Sequence, residues 1–291
     1  MKNFEYLEPA TVAEACAMLK QYAGEARPYA GGAYLTIVMK QGLLQPKALV
    51  NIKKIGALKG IRFDSNDGLV IGALTTHREL ETSKLAREKF PILREVEREV
   101  ANIRVRNVGT IGGNLASGEP LTDLAQVFIA LDAHVGIAGP SGSRTLPVEK
   151  LFLDFYQTSL AEDEILTHVA VPPLPARSGI EYIRFSSSSV VDKPCVGVCV
   201  RVSLAADKKS CEIVRIALGC VASTPMRAHR AEKILAGKTF SLEMAEQAAA
   251  VAAEECSPLS DLRGSEKFKR GIVRVLVRRA AAKAYERALG G

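Results

Sequence analysis

The sequence has no tryptophan, and aromatic residues make up only 5% of its 291 residues. Proteins that bind single-stranded nucleic acid stack the bases on aromatic side chains, so this scarcity argues against that class of function. The first residues lack the basic and then apolar pattern of a signal peptide. No apolar run approaches the roughly 20 residues that a membrane-spanning helix needs. These absences predict a soluble, cytoplasmic protein.

Several motifs that would identify a catalytic or nucleotide site are also missing. The sequence contains neither G-x-G-x-x-G nor G-x-x-x-x-G-K-[ST], so the dinucleotide-binding Rossmann fingerprint and the P-loop are excluded. It contains no G-x-S-x-G, so a hydrolase with a nucleophile elbow has no support. The four histidines are scattered and form no H-x-x-x-H pair.

The cysteines do not form the tight clusters that are typical of iron–sulfur ligation. Cys195 and Cys199 are the closest pair, and they lie in the strand-like stretch 194–204. Residues four apart on a strand point to the same face, where small buried thiols are common. A metal site is the weaker alternative, because the spacing matches no standard ligand set. We therefore expect no metal in this chain.

The charge of the chain is +7, from 39 basic and 32 acidic residues, and part of the excess lies in the segment 267–287. A basic helix that faces solvent or a partner protein explains this segment better than nucleic-acid binding, for which no motif is present. The length and the 47% of hydrophobic residues predict two or three compact units with proper cores.

The pattern of apolar residues predicts an α/β unit over about the first 55 residues. A helix opens there at the capping box Thr11–Glu14, and Leu35–Lys40 is expected to continue the strand before it. Further helices are predicted over 76–89, 91–101 and 123–131.

The stretch Asn107–Asn114 is expected to be irregular because it is rich in glycine. A linker is predicted at Pro172–Gly179, where proline and glycine break both helix and strand. Strands over 181–185, 195–204 and 212–220, with helices after them, predict an antiparallel sheet covered on one face.

Two glycine pairs are the features that suggest a ligand. Residues without a Cβ atom let backbone N–H groups approach a ligand closely, and successive N–H groups form a concavity that binds anions. The pairs are Gly31-Gly32 and Gly112-Gly113, and the second is followed by a predicted helix that starts near Asp123. The residues alone therefore predict two loops that could hold an anionic cofactor.

The surroundings of these loops resemble a known family. The run from Arg104 to Asp123 is similar to the RNxGTIGGNxxxxxPxxD signature of the flavin-carrying medium subunits of molybdenum hydroxylases, the xanthine dehydrogenase and carbon monoxide dehydrogenase family. Four further blocks resemble the same family in the same order: Ala30–Leu35, Gly72–Thr76, Glu164–Pro172 and Ala222–Leu235. Together the blocks cover nearly the whole chain.

The resemblance implies an α+β protein with the FAD-binding fold of the vanillyl-alcohol-oxidase/PCMH type. Residues 1–176 would form the FAD-binding domain, with subdomains at about 1–56 and 57–176, and residues 177–291 would form a C-terminal domain with an antiparallel sheet and helices. The implied cofactor is FAD.

The resemblance also implies which residues contact FAD. The first loop would cradle the pyrophosphate, and the second would complete the cradle and reach the ribityl chain. Asp123 would accept a hydrogen bond from a cofactor hydroxyl, although a helix cap is the alternative. Apolar contacts near the flavin are implied for two residues that could equally be core, Ala101 and Leu166. The full set is Ala30, Gly31, Gly32, Ala33, Tyr34, Leu35, Ala101, Thr110, Gly113, Asn114, Ser117, Asp123, Leu166 and Arg184.

The sequence departs from the family pattern in three places. After the linker the family often has KxSRR, whereas Arg184–Ser189 keeps one basic residue and loses the arginine pair. Glu119 places a carboxylate near the expected cofactor, which would lower the flavin potential by repelling the reduced anion. No inserted cysteine-bearing loop for a 4Fe–4S cluster is visible.

The function implied by the resemblance is electron transfer without a catalytic residue in this chain. Electrons would leave a molybdopterin large subunit, cross the 2Fe–2S clusters of a small subunit and pass through FAD to an external acceptor such as NAD, a quinone or oxygen. The assembly would be a heterotrimer or its dimer. Two alternatives remain: a self-contained flavin-dependent oxidase, for which the chain is short, and an assembly or binding module that has lost FAD.

Overall fold

The computed structural model describes residues 2–187, 189 and 192–290, which form two compact units. The first unit comprises Met1–Glu97, Asn102–Gly118 and His134–Val171, and the second comprises Arg98–Ala101, Glu119–Ala133 and Pro172–Gly291. The predicted domain division after residue 176 stays a prediction. Contacts between Cα atoms group two earlier segments, Arg98–Ala101 and Glu119–Ala133, with the C-terminal residues.

The first unit begins with a parallel sheet and the helices that connect its strands. The elements are β1 (Glu5–Leu7), α1 (Val12–Gln21), β2 (Ala26–Tyr29), α2 (Leu35–Lys40) and β3 (Ala48–Asn51), and the strand order is β1-β3-β2. The predicted cap of α1 is confirmed, because the Thr11 hydroxyl accepts a hydrogen bond from the N–H of Glu14 at 3.1 Å. The helix buries Cys16 and Leu19 against the sheet.

The prediction that Leu35–Lys40 continues the preceding strand is wrong. Gly32 has φ +73°, which turns the chain out of the strand, and the segment forms α2. The carbonyl of Gly32 accepts hydrogen bonds from the N–H and the hydroxyl of Thr36, at 3.1 and 2.7 Å, and so starts the helix.

A second, antiparallel sheet completes the first unit. Its strands follow the order β4-β5-β10-β6-β7. In chain order the elements are β4 (Ile61–Asp64), β5 (Gly68–Gly72), α3 (His77–Thr82), α4 (Lys84–Lys89), α5 (Pro91–Glu97), α6 (Ile103–Val108), α7 (Ile111–Ala116), α8 (Leu124–Ala130), β6 (His134–Gly139), β7 (Gly142–Pro147), the hairpin β8 (Phe152–Asp154) and β9 (Gln157–Thr158), and β10 (Ile165–Val171). Of these, α8 belongs to the second unit.

The glycine-rich stretch Asn107–Asn114 is helical at both ends, and the prediction of irregular structure there is wrong. The side chain of Asn102 caps α6, and the side chain of Thr110 caps α7. Gly112 packs so tightly that a Cβ atom would lie 2.6 Å from the Cβ of Ala73. The glycines in this stretch therefore provide close packing rather than flexibility. The predicted helix over 76–89 is broken at Ser83, which ends α3 and caps α4.

The second unit contains the predicted antiparallel sheet with its helices. The sheet has the order β11 (Ser178–Phe185), β12 (Val196–Leu204), β13 (Cys211–Gly219) and β14 (Met226–Arg227), and the helices are α9 (His229–Leu235), α10 (Leu242–Glu255) and α11 (Glu266–Gly290). Every residue of β12 is buried, and this strand and β13 form the core with the three helices. Both Cys195 and Cys199 are free and buried. Among the described residues, no helix is long and apolar enough to cross a bilayer.

Candidate functional site: a glycine-lined cradle

The loop between β2 and α2 presents backbone donors that the protein does not use. Within the described residues, the N–H groups of Gly31, Gly32 and Ala33 donate to no protein acceptor. The positive φ of Gly32 lets successive N–H groups converge, which is the geometry of an anion-binding nest. Unpaired backbone donors are rare in folded proteins unless water or a ligand accepts from them. This loop therefore offers three half-exposed donors that water or a ligand can use.

The second glycine-rich segment lies against the first loop. A Cβ atom on Gly31 would lie 1.8 Å from the carbonyl oxygen of Val108, so only glycine permits this contact. The segment is held in place by the residues that follow β5. The N–H of Ile111 donates to Thr75 at 2.9 Å, and that of Gly112 donates to Ala73 at 2.9 Å. The structure thus brings the two predicted loops together within one unit.

Most polar groups of the second segment are satisfied internally. The hydroxyl of Thr110 accepts from the N–H of Gly113 at 3.1 Å, and the hydroxyl of Ser117 donates to the carbonyl of Asn114 at 2.7 Å. The exception is Oδ1 of Asn114, which is buried and has no hydrogen-bond partner. A buried acceptor without a donor costs about 1–3 kcal/mol. This atom is therefore an acceptor that a donor from outside the chain could satisfy.

The structure places the other predicted residues of the first unit in different environments. Tyr34 follows the nest, and its ring stacks on Tyr156 with centroids 6.1 Å apart and planes 9° apart. Tyr156 lies in the β8–β9 hairpin and has a positive φ of 56°. Its backbone N–H donates to the carbonyl of Gly118 at 3.0 Å. Leu166 lies in β10 and is 4% exposed. Its side chain fits core packing as well as a cofactor contact.

In the second unit, Asp123 belongs to a buried polar cluster. Its carboxylate accepts from the hydroxyl of Tyr182 at 2.6 Å and lies 3.4 Å from the guanidinium of Arg184. It makes no side-chain cap to α8, so the helix-cap alternative for Asp123 is wrong. Burial, followed by the Asp123 charge, raises the pKa of Tyr182 well above its ordinary value. Tyr182 is therefore a permanent donor to this carboxylate.

Arg184 is committed to the protein rather than to solvent. Its guanidinium donates to the carbonyl of Glu99 at 2.8 Å and to Ser186 at 2.8 Å, and it also donates to the carbonyl of Asp192. Two residues after Glu99, Ala101 has φ +45°, a strained conformation for a residue with a Cβ atom. Of the altered stretch Arg184–Ser189, Ser188 lies outside the described residues.

The unexpected carboxylate of Glu119 is neutralised by a partner. Its Oε2 lies 2.5 Å from Nζ of Lys193, and its Oε1 accepts from the N–H of Leu121 at 3.2 Å. The charge of Lys193 offsets the repulsion that we expected Glu119 to exert on a reduced flavin. Sequence reasoning found Glu119 but missed Lys193, because the two residues are 74 positions apart.

Sequence reasoning also missed a buried pair beneath the second segment. Nδ1 of His77 lies 2.9 Å from Oε2 of Glu97, and both side chains are buried. His77 directly follows the Gly72–Thr76 block, so its position next to a turn that resembles the family was the available signal. No group of three metal-ligating side chains occurs in the part of the chain that is described.

These features fit FAD. A pyrophosphate needs backbone donors, and the nest offers three that are unused. A ribityl or ribose hydroxyl can donate to the unsatisfied Oδ1 of Asn114. When bound, FAD would supply the redox chemistry, and the protein would supply orientation and electrostatics.

Comparison with known proteins defines the class. Residues 2–174 match the family described as "FAD binding domain in molybdopterin dehydrogenase", and residues 181–284 match "CO dehydrogenase flavoprotein C-terminal domain". The chain is 36% identical to the carbon monoxide dehydrogenase medium chain of Hydrogenophaga pseudoflava, over 98% of both chains. It is 33% identical to the nicotine 6-hydroxylase medium subunit of Paenarthrobacter nicotinovorans, over 97% of both.

Solved structures agree with these relatives. A chain of carbon monoxide dehydrogenase from Hydrogenophaga pseudoflava, in a form that lacks the Mo-pyranopterin moiety of its cofactor, superposes with a TM-score of 0.94 at 37% identity over 98% of both chains. A chain of quinoline 2-oxidoreductase from Pseudomonas putida 86 gives a TM-score of 0.91 at 30% identity, over 99% of this chain and 100% of that one. The protein therefore belongs to the family of FAD-binding medium subunits of molybdenum hydroxylases, the oxidoreductase subunits that transfer electrons through FAD.

Proposed function

We propose that this chain holds the pyrophosphate of FAD on the nest formed by Gly31, Gly32 and Ala33. The observation that carries the proposal is the set of three unused N–H groups in a loop that a single Cβ atom at Gly31 would disrupt. Ala30, Tyr34 and Leu35 frame this loop. Because the protein uses none of the three donors, an anionic ligand binds there without breaking an internal hydrogen bond.

The second segment contributes to the same cofactor mainly through one side chain. Thr110, Gly113 and Ser117 shape the first turn of α7, and Asn114 accepts from a hydroxyl of the cofactor through its buried Oδ1. Leu166 of the same unit supplies apolar contact. For the residues of the second unit, the resemblance supports an apolar contact from Ala101 and a hydroxyl acceptor role for Asp123, with Arg184 holding that carboxylate.

As to partners, we propose that the chain works with a small 2Fe–2S subunit and a large molybdopterin subunit. Relatives that match along 97–98% of their own length are named medium chains or medium subunits, which supports a chain that is one component of a larger enzyme. Electrons from the iron–sulfur clusters would pass through FAD to an external acceptor such as NAD, a quinone or oxygen. A cytoplasmic location stays a prediction.

Purification of the chain, tagged in its own host, tests this proposal. We expect two further chains to copurify, with iron and molybdenum in the preparation and FAD on this chain. The self-contained oxidase alternative predicts a single yellow chain that reduces its flavin with a small organic substrate and contains neither metal. A colourless chain that copurifies with a complex would indicate an assembly module that has lost FAD.

A further inference from the structure

Beneath the second glycine-rich segment lies the buried pair of His77 and Glu97. The side chain of His77 is 4% exposed and that of Glu97 is fully buried, and their contact between Nδ1 and Oε2 measures 2.9 Å. The other oxygen of Glu97, Oε1, is buried and has no hydrogen-bond partner. Burial raises the pKa of Glu97. A buried acid that is only half satisfied is costly to keep, so its presence calls for an explanation other than filling the core.

His77 contacts the second glycine-rich segment at Gly109 in two ways. The backbone N–H of His77 donates to the carbonyl of Gly109 at 3.0 Å. The imidazole also packs on that residue, because a Cβ atom on Gly109 would lie 3.1 Å from Cδ2 of His77. Main chain and ring of one residue thus fix the same peptide, while Glu97 fixes the ring.

The position of Gly109 in turn sets the positions of the residues that follow it, which belong to the cradle. The next residue, Thr110, pairs with Thr76 and caps α7 through its hydroxyl. The carbonyl of Thr110 accepts from the N–H of Asn114 at 2.8 Å. The orientation of Asn114, whose Oδ1 lacks a protein donor, therefore depends on where Gly109 is held.

We propose that His77 and Glu97 are positioning residues for FAD, which set the Gly109–Asn114 segment in its cofactor-binding conformation before the cofactor arrives. This inference rests on the proposed role of that segment. Preorganisation of this kind raises affinity by lowering the ordering cost of binding. The neighbouring ion pair of Glu81 and Arg106, at 3.1 Å, ties α3, which begins at His77, to α6, which ends next to Gly109, and so supports the arrangement from the side.

The double variant His77→Leu with Glu97→Leu tests the pair. Replacing a buried ion pair by apolar residues of similar volume often leaves stability unchanged, so a role in stability alone predicts normal FAD binding. Positioning predicts a dissociation constant for FAD at least tenfold higher than that of the wild type, with a similar melting temperature. In the cofactor-free protein, amide exchange of residues 111–114 should also be at least tenfold faster. Exchange in β5 and β10 should not change.

Unchanged exchange and unchanged FAD affinity in the folded double variant would overturn the inference. If the double variant exchanges faster but the wild type itself binds no FAD, the proposed cofactor role is refuted, while the positioning of the segment by this pair is supported. If the double variant does not fold, His77→Asn and His77→Ala replace it, since the amide of asparagine can donate near the place of Nδ1. Positioning predicts near-native exchange for asparagine and at least tenfold faster exchange for alanine, and equal exchange in the two would contradict it.

Discussion

Replacement of Gly31 by alanine should remove tight FAD binding. The added Cβ atom would lie 1.8 Å from the carbonyl oxygen of Val108, whereas ordinary contact begins at 3.4 Å, so the nest must move by roughly 1.6 Å. The obstacle is backbone and cannot rotate away. Hydrogen bonds to charged groups contribute about 1.5–3 kcal/mol each. Loss of one or two of the three nest contacts therefore raises the dissociation constant by about one to four orders of magnitude.

The assay is titration of the cofactor-free protein with FAD, followed by the quenching of flavin fluorescence. The matched control is Gly56→Ala, because that glycine also lies in the first unit and nothing is within 4 Å of its Cβ position. We expect the control to bind FAD as the wild type does. A folded Gly31→Ala protein that binds FAD within threefold of the wild type would refute the nest as the pyrophosphate site.

Three further predictions follow from particular side chains. Asn114→Ala removes a buried acceptor that has no partner, so the cofactor-free protein should keep or gain stability while its FAD affinity falls about fivefold, as expected for loss of one hydrogen bond of ~1 kcal/mol. Unchanged affinity would show that Asn114 does not contact the cofactor. Tyr182→Phe removes the 2.6 Å hydrogen bond to Asp123 and should lower the free energy of unfolding by about 1–3 kcal/mol in urea melts, because a buried carboxylate loses one of its donors. A neutral effect would show that water replaces the hydroxyl. Burial raises the pKa of Cys211 to about 11, so this thiol stays protonated at pH 8. It should therefore resist iodoacetamide in the native protein until the pH approaches 11. Labelling of Cys211 at pH 8, detected by mass spectrometry, would contradict its burial.

The sequence was most informative where the chemistry is local. The two glycine pairs could be identified because an unusual backbone needs glycine at the position itself, and Gly32 does adopt a positive φ. The three long strands of the second unit and the helices after them were predicted correctly, because continuous or periodic apolar runs reflect a core that buries every residue of β12, whereas the two-residue strand β14 was missed. The family signature then linked these local features to FAD.

The sequence failed where a distant residue decides the local structure. Gly112 lies in α7, and its bare Cα packs against Ala73, a contact that composition cannot show. Asp123 looked like a helix cap because it precedes α8, yet its partner is Tyr182, 59 residues later. Side-chain partners across such distances are set by tertiary packing, which overrides local preference.

The flavin content of the purified protein shows whether this chain holds FAD. We expect one FAD per chain, seen as absorbance near ~450 nm from an oxidised flavin and identified as FAD after release from the denatured protein. A folded chain that is colourless, and that takes up no FAD when the cofactor is added in excess, would contradict it.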